Sequence, residues 1–318
     1  MKIAVLEPLG IPDEDLRLLF IQALDRIGAS NVEIITYPDR KEDEATLIER
    51  SADAEIVVLS NIAYPASVME KNPNLKYVCV AFTGYDHVDM AYCREQGIKV
   101  SNCAGYSTVA VADLVFGLLL DVYRNISVLN SQVRHGGTKD DLVGPELEGK
   151  RFGVIGAGAI GSRVMRIAAA FGCEVVAYSR TPKDIEGVTF VSLDELLSTS
   201  DVISLHIPQT PETAGMIGAE QIALMKPNAV LINCARGPIV DSQALADALN
   251  EERIAGAGID VLEMEPPFPS DHPLLNAKNA IVTPHVAFAS QEAMQKRAVI
   301  VADNVASYIE GKPLNLVS

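Results

Sequence analysis

Apolar runs rich in Val and Ile alternate with amphipathic stretches of helical spacing along most of the chain. The runs predict strands at KIAVL (2–6), VEIITY (32–37), EIVVLS (55–60), LKYVCVAF (75–82) and IKVSN (98–102). A second series follows at RFGVIG (151–156), CEVVAYS (173–179), VTFV (188–191), DVISLHI (201–207), AVLIN (229–233), AGAGIDV (255–261) and AIVTPH (280–285). Several are apolar throughout rather than every second residue, which suits parallel strands covered on both faces. Helical spacing predicts helices over 13–27, 160–171, 192–198 and 242–252, and Ser192 with Glu195 fits a capping box. Strand and helix in alternation imply doubly wound parallel sheets.

Two such sheets are expected. The break falls in the polar stretch NSQVRHGGTKDDLVGPELEGK, after a helix expected over 108–134. The first half of that helix is apolar on most sides, so it is expected to be buried, between domains or between subunits. A last helix over 291–310 follows the second sheet and can return to the first domain.

At 318 residues the chain is long enough for two cores. A formal charge of −16 argues against nucleic acid or an anionic membrane as partner, while leaving room for a small anionic substrate. The five cysteines form no CxxC, so neither a structural metal nor disulfides are expected. The start MKIAVLEPLG reads as a strand and turn, not a signal peptide, and the apolar run 109–120 is short for a membrane span. A cytoplasmic protein is expected.

GAGAIG places Gly156, Gly158 and Gly161 between a strand and a helix. That spacing permits a tight turn, close approach of a pyrophosphate and close helix packing, a dinucleotide site. Eighteen residues past Gly161, where such sites usually carry a carboxylate for the ribose hydroxyls, stand Ser179 and Arg180. Losing the carboxylate removes repulsion of a 2′-phosphate. Arg180 can bind one, and Lys183 adds positive potential. NADP is therefore expected, with NAD as second choice.

Three later strands end in polar residues: Arg236, then Asp260 and Glu265, then His285. His206 ends a strand too, and position alone does not separate it from His285. The segments FTGYDHVDMAYCREQGIKVSNCAGYSTVAVAD, ELEGKRFGVIGAGAIG, DVISLHIPQTPETAGMI, MKPNAVLINCARGPIVD, GIDVLEMEPP and TPHVAFAS cover most of the chain. Together they resemble the D-isomer-specific 2-hydroxyacid dehydrogenase family.

That resemblance implies an α/β protein of two doubly wound parallel-sheet domains. A Rossmann nucleotide-binding domain (102–289) would be inserted into a flavodoxin-like substrate domain (1–101 plus 290–318), usually in a homodimer. It implies Arg236, Glu265 and His285 as the catalytic trio. Arg236 would pair with a substrate carboxylate and polarise the 2-oxo group, His285 would exchange the proton, and Glu265 would orient the ring and favour its charged form.

The resemblance further assigns Ala159 and Ile160 to the pyrophosphate, and His206, Ile207, Pro208 and Thr213 to the cofactor loop. Cys234, Ala235 and Asp260 fall near the nicotinamide, Asp260 as partner of its carboxamide. Thr83, Gly84 and Tyr85 would hold the substrate carboxylate, and Tyr106 and Phe288 would shape the pocket unless they are ordinary packing residues. Asp113 and Ala159 depart from the family's frequent Glu and Arg or Gln without removing a catalytic group. The expected activity is reduction of glyoxylate, hydroxypyruvate, pyruvate or a similar 2-oxo acid to the D-2-hydroxy acid. The alternatives are phosphoglycerate or phosphite oxidation, or a corepressor-like NAD(P)-sensing protein. Formate oxidation is disfavoured, because such relatives carry Gln where Glu265 stands.

Overall fold

The structure, a computed structural model, describes residues 1–139 and 141–318. Asp140, inside the polar stretch read as the interdomain break, lies outside them. The described residues divide into two compact units, Met1–Ser107 with Ala289–Ser318, and Thr108–Phe288.

The first unit alternates β1 (Lys2–Val5), α1 (Asp13–Arg26), β2 (Glu33–Thr36), α2 (Glu44–Ser51), β3 (Ile56–Leu59), α3 (Ala66–Met69), β4 (Tyr77–Val80), α4 (Met90–Gln96) and β5 (Lys99–Ser101). Its strands pair in parallel in the order β2-β1-β3-β4-β5. Every residue of β3 and β4 is buried, as continuous apolar runs require. Asp43 and Asp89 cap α2 and α4 by accepting backbone N–H groups of the first turn, and Gly97 ends α4 in the left-handed region.

The C-terminal helix, Gln291–Ile309, packs on this unit. Asn304 donates to the Asn102 carbonyl at 3.0 Å, and Asn102 donates to that of Thr83 at 2.7 Å. Asn315 donates to the Asn304 side chain at 2.8 Å. The first unit extends to Ser107, past the boundary expected at 101.

The second unit contains α5 (Thr108–Arg124), α6 (Ile126–Arg134), β6 (Arg151–Ile155), α7 (Ala159–Ala170), β7 (Glu174–Tyr178), β8 (Val188–Phe190), α8 (Leu193–Thr199) and β9 (Val202–Leu205). It continues with α9 (Ala219–Ala223), β10 (Val230–Asn233), α10 (Ser242–Asn250), β11 (Gly256–Ile259) and β12 (Ala280–Val282). The parallel sheet runs β12-β11-β10-β9-β6-β7-β8. Strand order reverses between β6 and β9, and ligands of open α/β sheets bind at the carboxyl ends beside such a reversal.

The helix expected over 108–134 is two helices. Asn125, at φ +54°, breaks it, and the Asp121 carboxylate accepts the Ser127 N–H at 2.7 Å to start the second. The apolar α5 lies on its own unit's sheet, against β10 and β11, which explains its burial. At α8, Ser192 accepts the Glu195 N–H at 3.1 Å, while the Glu195 carboxylate pairs with Arg151 at 3.4 Å, so the cap is a single bond.

Phe152, fully buried on β6, stacks on Phe116 of α5 with ring centroids 5.8 Å apart. Phe152→Ala should therefore lower unfolding stability by about 3–5 kcal/mol, measured by urea denaturation. A loss below about 1 kcal/mol would contradict this packing.

Candidate active site

The nucleotide end is built by β6, the glycine turn and α7. A Cβ on Gly161 would lie 1.9 Å from the Gly156 carbonyl oxygen, so only glycine lets α7 start this close to its strand. Gly156 is buried, while Gly158 and Ala159 are exposed and Ile160 half-buried at the start of α7. Gly158 caps α7 without a side-chain hydrogen bond, and a Cβ there would meet nothing within 4 Å. The start of this twelve-residue helix, whose first N–H groups have no partner within the helix, thus has open space at Gly158, which fits a dinucleotide phosphate.

Ser179 is half-buried just after β7, and Arg180 is exposed. Lys183 donates from Nζ to the Ala157 carbonyl at 2.6 Å, which ties its charge to the glycine turn. Glu212, which the sequence reading passed over, is held below the ordinary carboxylate range by hydrogen bonding from Thr210 and its own backbone, with a contribution from the Arg180 charge. Thr213 donates to the Pro208 carbonyl at 2.7 Å and accepts the Thr210 N–H at 2.8 Å. Its side chain therefore closes the loop that carries Ile207 and Pro208.

His206 follows β9, and its N–H donates to the Ile155 carbonyl at 2.7 Å. Its Nε2 is 2.8 Å from the Ser204 hydroxyl, and burial pushes its pKa down to about 3. The ring is neutral at ordinary pH, so it holds no ready proton for a carbonyl oxygen.

His285 follows β12 and differs in kind. Its Nδ1 faces both Glu265 oxygens, at 2.8 and 3.0 Å. The edge of its ring meets Phe288, centroids 5.7 Å apart. The residue sits at φ +54°, a conformation that surrounding contacts must impose on a non-glycine residue.

Asp260, just past β11, supplies those contacts. Its carboxylate accepts from Thr283 Oγ1 at 2.6 Å, Val286 N–H at 2.9 Å and Ala287 N–H at 2.8 Å. Its carbonyl accepts the His285 N–H at 2.8 Å. The side chain is fully buried; burial raises its pKa while the hydrogen bonds to the loop oppose that shift. Both oxygens of Asp260, the expected partner of the nicotinamide carboxamide, accept hydrogen bonds from the loop that carries His285.

Arg236 lies just past β10. Asn233 shapes its turn, accepting the Ala235 N–H at 3.0 Å and donating to the Arg236 carbonyl at 2.9 Å. The Arg236 Nη1 donates to the Ala235 carbonyl at 2.8 Å, and Cys234 is buried beside the turn. A Cβ on Gly237 would lie 1.9 Å from the Leu262 carbonyl oxygen. The Arg236 turn therefore runs backbone to backbone against the segment leading into Glu265. The sequence reading missed Asn233 and Thr283, although polar residues at the ends of buried strands were a usable signal.

In the first unit, Thr83 is exposed and Gly84 and Tyr85 are half-buried, in a turn anchored by Asn102. Tyr106 is only 2 % exposed. It packs on Phe82 at 6.0 Å, with the Arg297 guanidinium 5.8 Å from its ring. These contacts are those of a packed aromatic residue.

The depressed pKa of His206 has a consequence for stability. The unfolded ring titrates near 6.5, so this contribution is complete above that pH and is lost as pH falls toward 3. The ring keeps some solvent contact, which trims the expected loss to roughly 1–2 kcal/mol between pH 7 and 5. His206→Gln should weaken the pH dependence by that amount in denaturant melts at both pH values. An unchanged dependence would show that this ring does not cause the acid loss.

Comparison with known proteins agrees with this geometry. Residues 116–287 match the family described as D-isomer specific 2-hydroxyacid dehydrogenase, NAD binding domain. A hydroxypyruvate reductase of Blautia hydrogenotrophica is 38% identical over the whole of both chains. A glycerate dehydrogenase of Methylorubrum extorquens is 41% identical over 87% of this chain and 91% of its own. Among solved structures, an acyclic imino acid reductase in complex with NADPH and D-Arg superposes with a TM-score of 0.89 at 33% identity, over all of both chains. Nucleotide turn, sheet order and full-length similarity converge: the chain belongs to the D-isomer-specific 2-hydroxyacid dehydrogenase family.

Proposed function

We propose that this protein reduces a small 2-oxo acid, such as hydroxypyruvate, glyoxylate or pyruvate, to the D-2-hydroxy acid, with NADPH preferred over NADH. The observation that carries the reading is the His285–Glu265 pair at 2.8 Å, on the sheet edge that also bears the glycine turn and Arg236. The D configuration follows from the family. Relatives named for hydroxypyruvate reduction and glycerate oxidation support the substrate class. They do not favour phosphite oxidation or a purely sensing role.

The nucleotide diphosphate is assigned to the start of α7, with Gly156, Gly158, Ala159, Ile160 and Gly161. When bound, the nicotinamide supplies hydride to the substrate carbon. Arg236 holds the substrate carboxylate and draws electron density from the neighbouring carbonyl. His285 gives its Nε2 proton to the carbonyl oxygen, and in reverse takes it from the alcohol. Glu265 fixes the ring through Nδ1 and stabilises its positive charge. From the family resemblance, the Thr83–Tyr85 turn of the first unit is also assigned to substrate binding.

Ser179 brings no negative charge to the adenosine end, and Arg180 is exposed and available to a 2′-phosphate, with Lys183 close to the turn. A homodimer belongs to the same proposal. Helix α6 buries none of its residues, and Ile126 and Val133, seven residues apart and so on one side of it, are 52 % and 66 % exposed, a face suited to a second copy. Five free cysteines are compatible with the reducing cytoplasm. Among the described residues, no helix is long and apolar enough to cross a membrane.

Arg236→Ala should lower kcat/KM for hydroxypyruvate at least about a hundredfold, about 2.7 kcal/mol of transition-state stabilisation, in a spectrophotometric assay. Near-normal turnover would remove Arg236 from the reaction. Arg180→Ala should raise the KM for NADPH about tenfold and that for NADH less than twofold. Equal effects on both would defeat the 2′-phosphate assignment.

A further inference from the structure

A second His–Glu pair lies outside the trio. His272 is 6 % exposed, and its Nε2 is 3.0 Å from Glu263 Oε2. Its Nδ1 accepts the Leu274 N–H at 3.3 Å and so caps the short helical turn Pro273–Asn276. An accepting Nδ1 carries no proton, which leaves Nε2–H to donate to Glu263. Burial raises the Glu263 carboxyl, but hydrogen bonds from Ser242 and His272 outweigh it and hold the group below the ordinary carboxylate range.

The pair joins three pieces of backbone. Ser242 opens α10, His272 lies within the β11–β12 loop just before its short helical turn, and Glu263 stands two residues before Glu265 in that loop. The same segment presses on the Arg236 turn at Gly237, where a Cβ would come within 2.6 Å of the Glu263 nitrogen. Loops bearing charged side chains are the mobile parts of such folds unless tied down. Here the tie sits at the point where the Arg236 turn and the Glu265 segment meet.

We infer that Glu263 and His272 are positioning residues of the reaction centre: their hydrogen bond sets the loop register that brings Glu265 onto His285 beside the Arg236 turn. This rests on the function proposed above. An ordinary surface ion pair would contribute almost nothing to turnover. A register device acts on the transition state, because a shift of about 1 Å in a supporting loop can lower the rate about a hundredfold.

Three variants test it. Glu263→Ala removes the acceptor, Glu263→Gln keeps an oxygen for the His272 N–H, and His272→Asn keeps a cap for Leu274 while deleting the donor to Glu263. Each is assayed with hydroxypyruvate and NADPH, titrated with NADPH for Kd, and examined by long-range proton–nitrogen NMR of its imidazoles. E263A and H272N should lower kcat at least tenfold, leave the NADPH Kd within twofold, and lose the His285 Nδ1–H signal of the Glu265 hydrogen bond. E263Q should stay within threefold of the parent in kcat and retain that signal. Unchanged kcat or an unchanged His285 signal in E263A overturns the inference, as does a loss in E263Q equal to that in E263A. If the parent protein reduces no 2-oxo acid, the NMR comparison still decides, and only the proposed function falls.

Discussion

Asp260 is the residue on which the arrangement of this site depends. It is wholly buried at the end of a central parallel strand, and its carboxylate and carbonyl together accept four hydrogen bonds from the 283–287 loop. A buried carboxylate is costly unless hydrogen-bonded, and these bonds are directed at one task. They hold His285 at a positive φ, with Nδ1 against Glu265. The hydrogen bonds that offset the desolvation of Asp260 also hold the loop in which His285 takes that strained conformation.

Around this anchor the second unit works by close backbone approach. Glycines let α7 start against β6 and let the Arg236 turn lie on the segment preceding Glu265. The chain is strongly acidic overall, yet cationic side chains stand where anions are expected: Arg180 and Lys183 at the nucleotide end, Arg236 at the reacting end. Net charge governs long-range attraction, whereas a bound carboxylate or phosphate responds to the few cations within hydrogen-bond reach.

Much of this was legible in the chain. All twelve predicted strands exist, and the interior ones announce themselves because residues buried on both sides of a parallel sheet must be apolar. The break at Asn125 was not legible: apolar spacing runs through it, and the Asp121–Ser127 bond that starts α6 is a local capping event without a strong signature. Arg236, Glu265 and His285 could be named from their motifs, whereas position at a strand end does not separate His285 from His206. The surroundings do, since one ring meets a carboxylate and the other a buried hydroxyl. The loop-holding role of Asp260 was also hidden, because its partners lie 23 to 27 residues away and reach it only once β11 and β12 are paired.

A crystal structure with NADPH and oxamate, an unreactive mimic of a 2-oxo acid, puts the account to its sharpest test. Two hydrogen bonds are expected from the Arg236 guanidinium to the oxamate carboxylate, with His285 Nε2 within about 3 Å of the neighbouring carbonyl oxygen and Glu265 still on Nδ1. Oxamate bound with Nε2 turned away from that oxygen, or with Arg236 making no contact to the carboxylate, would contradict it.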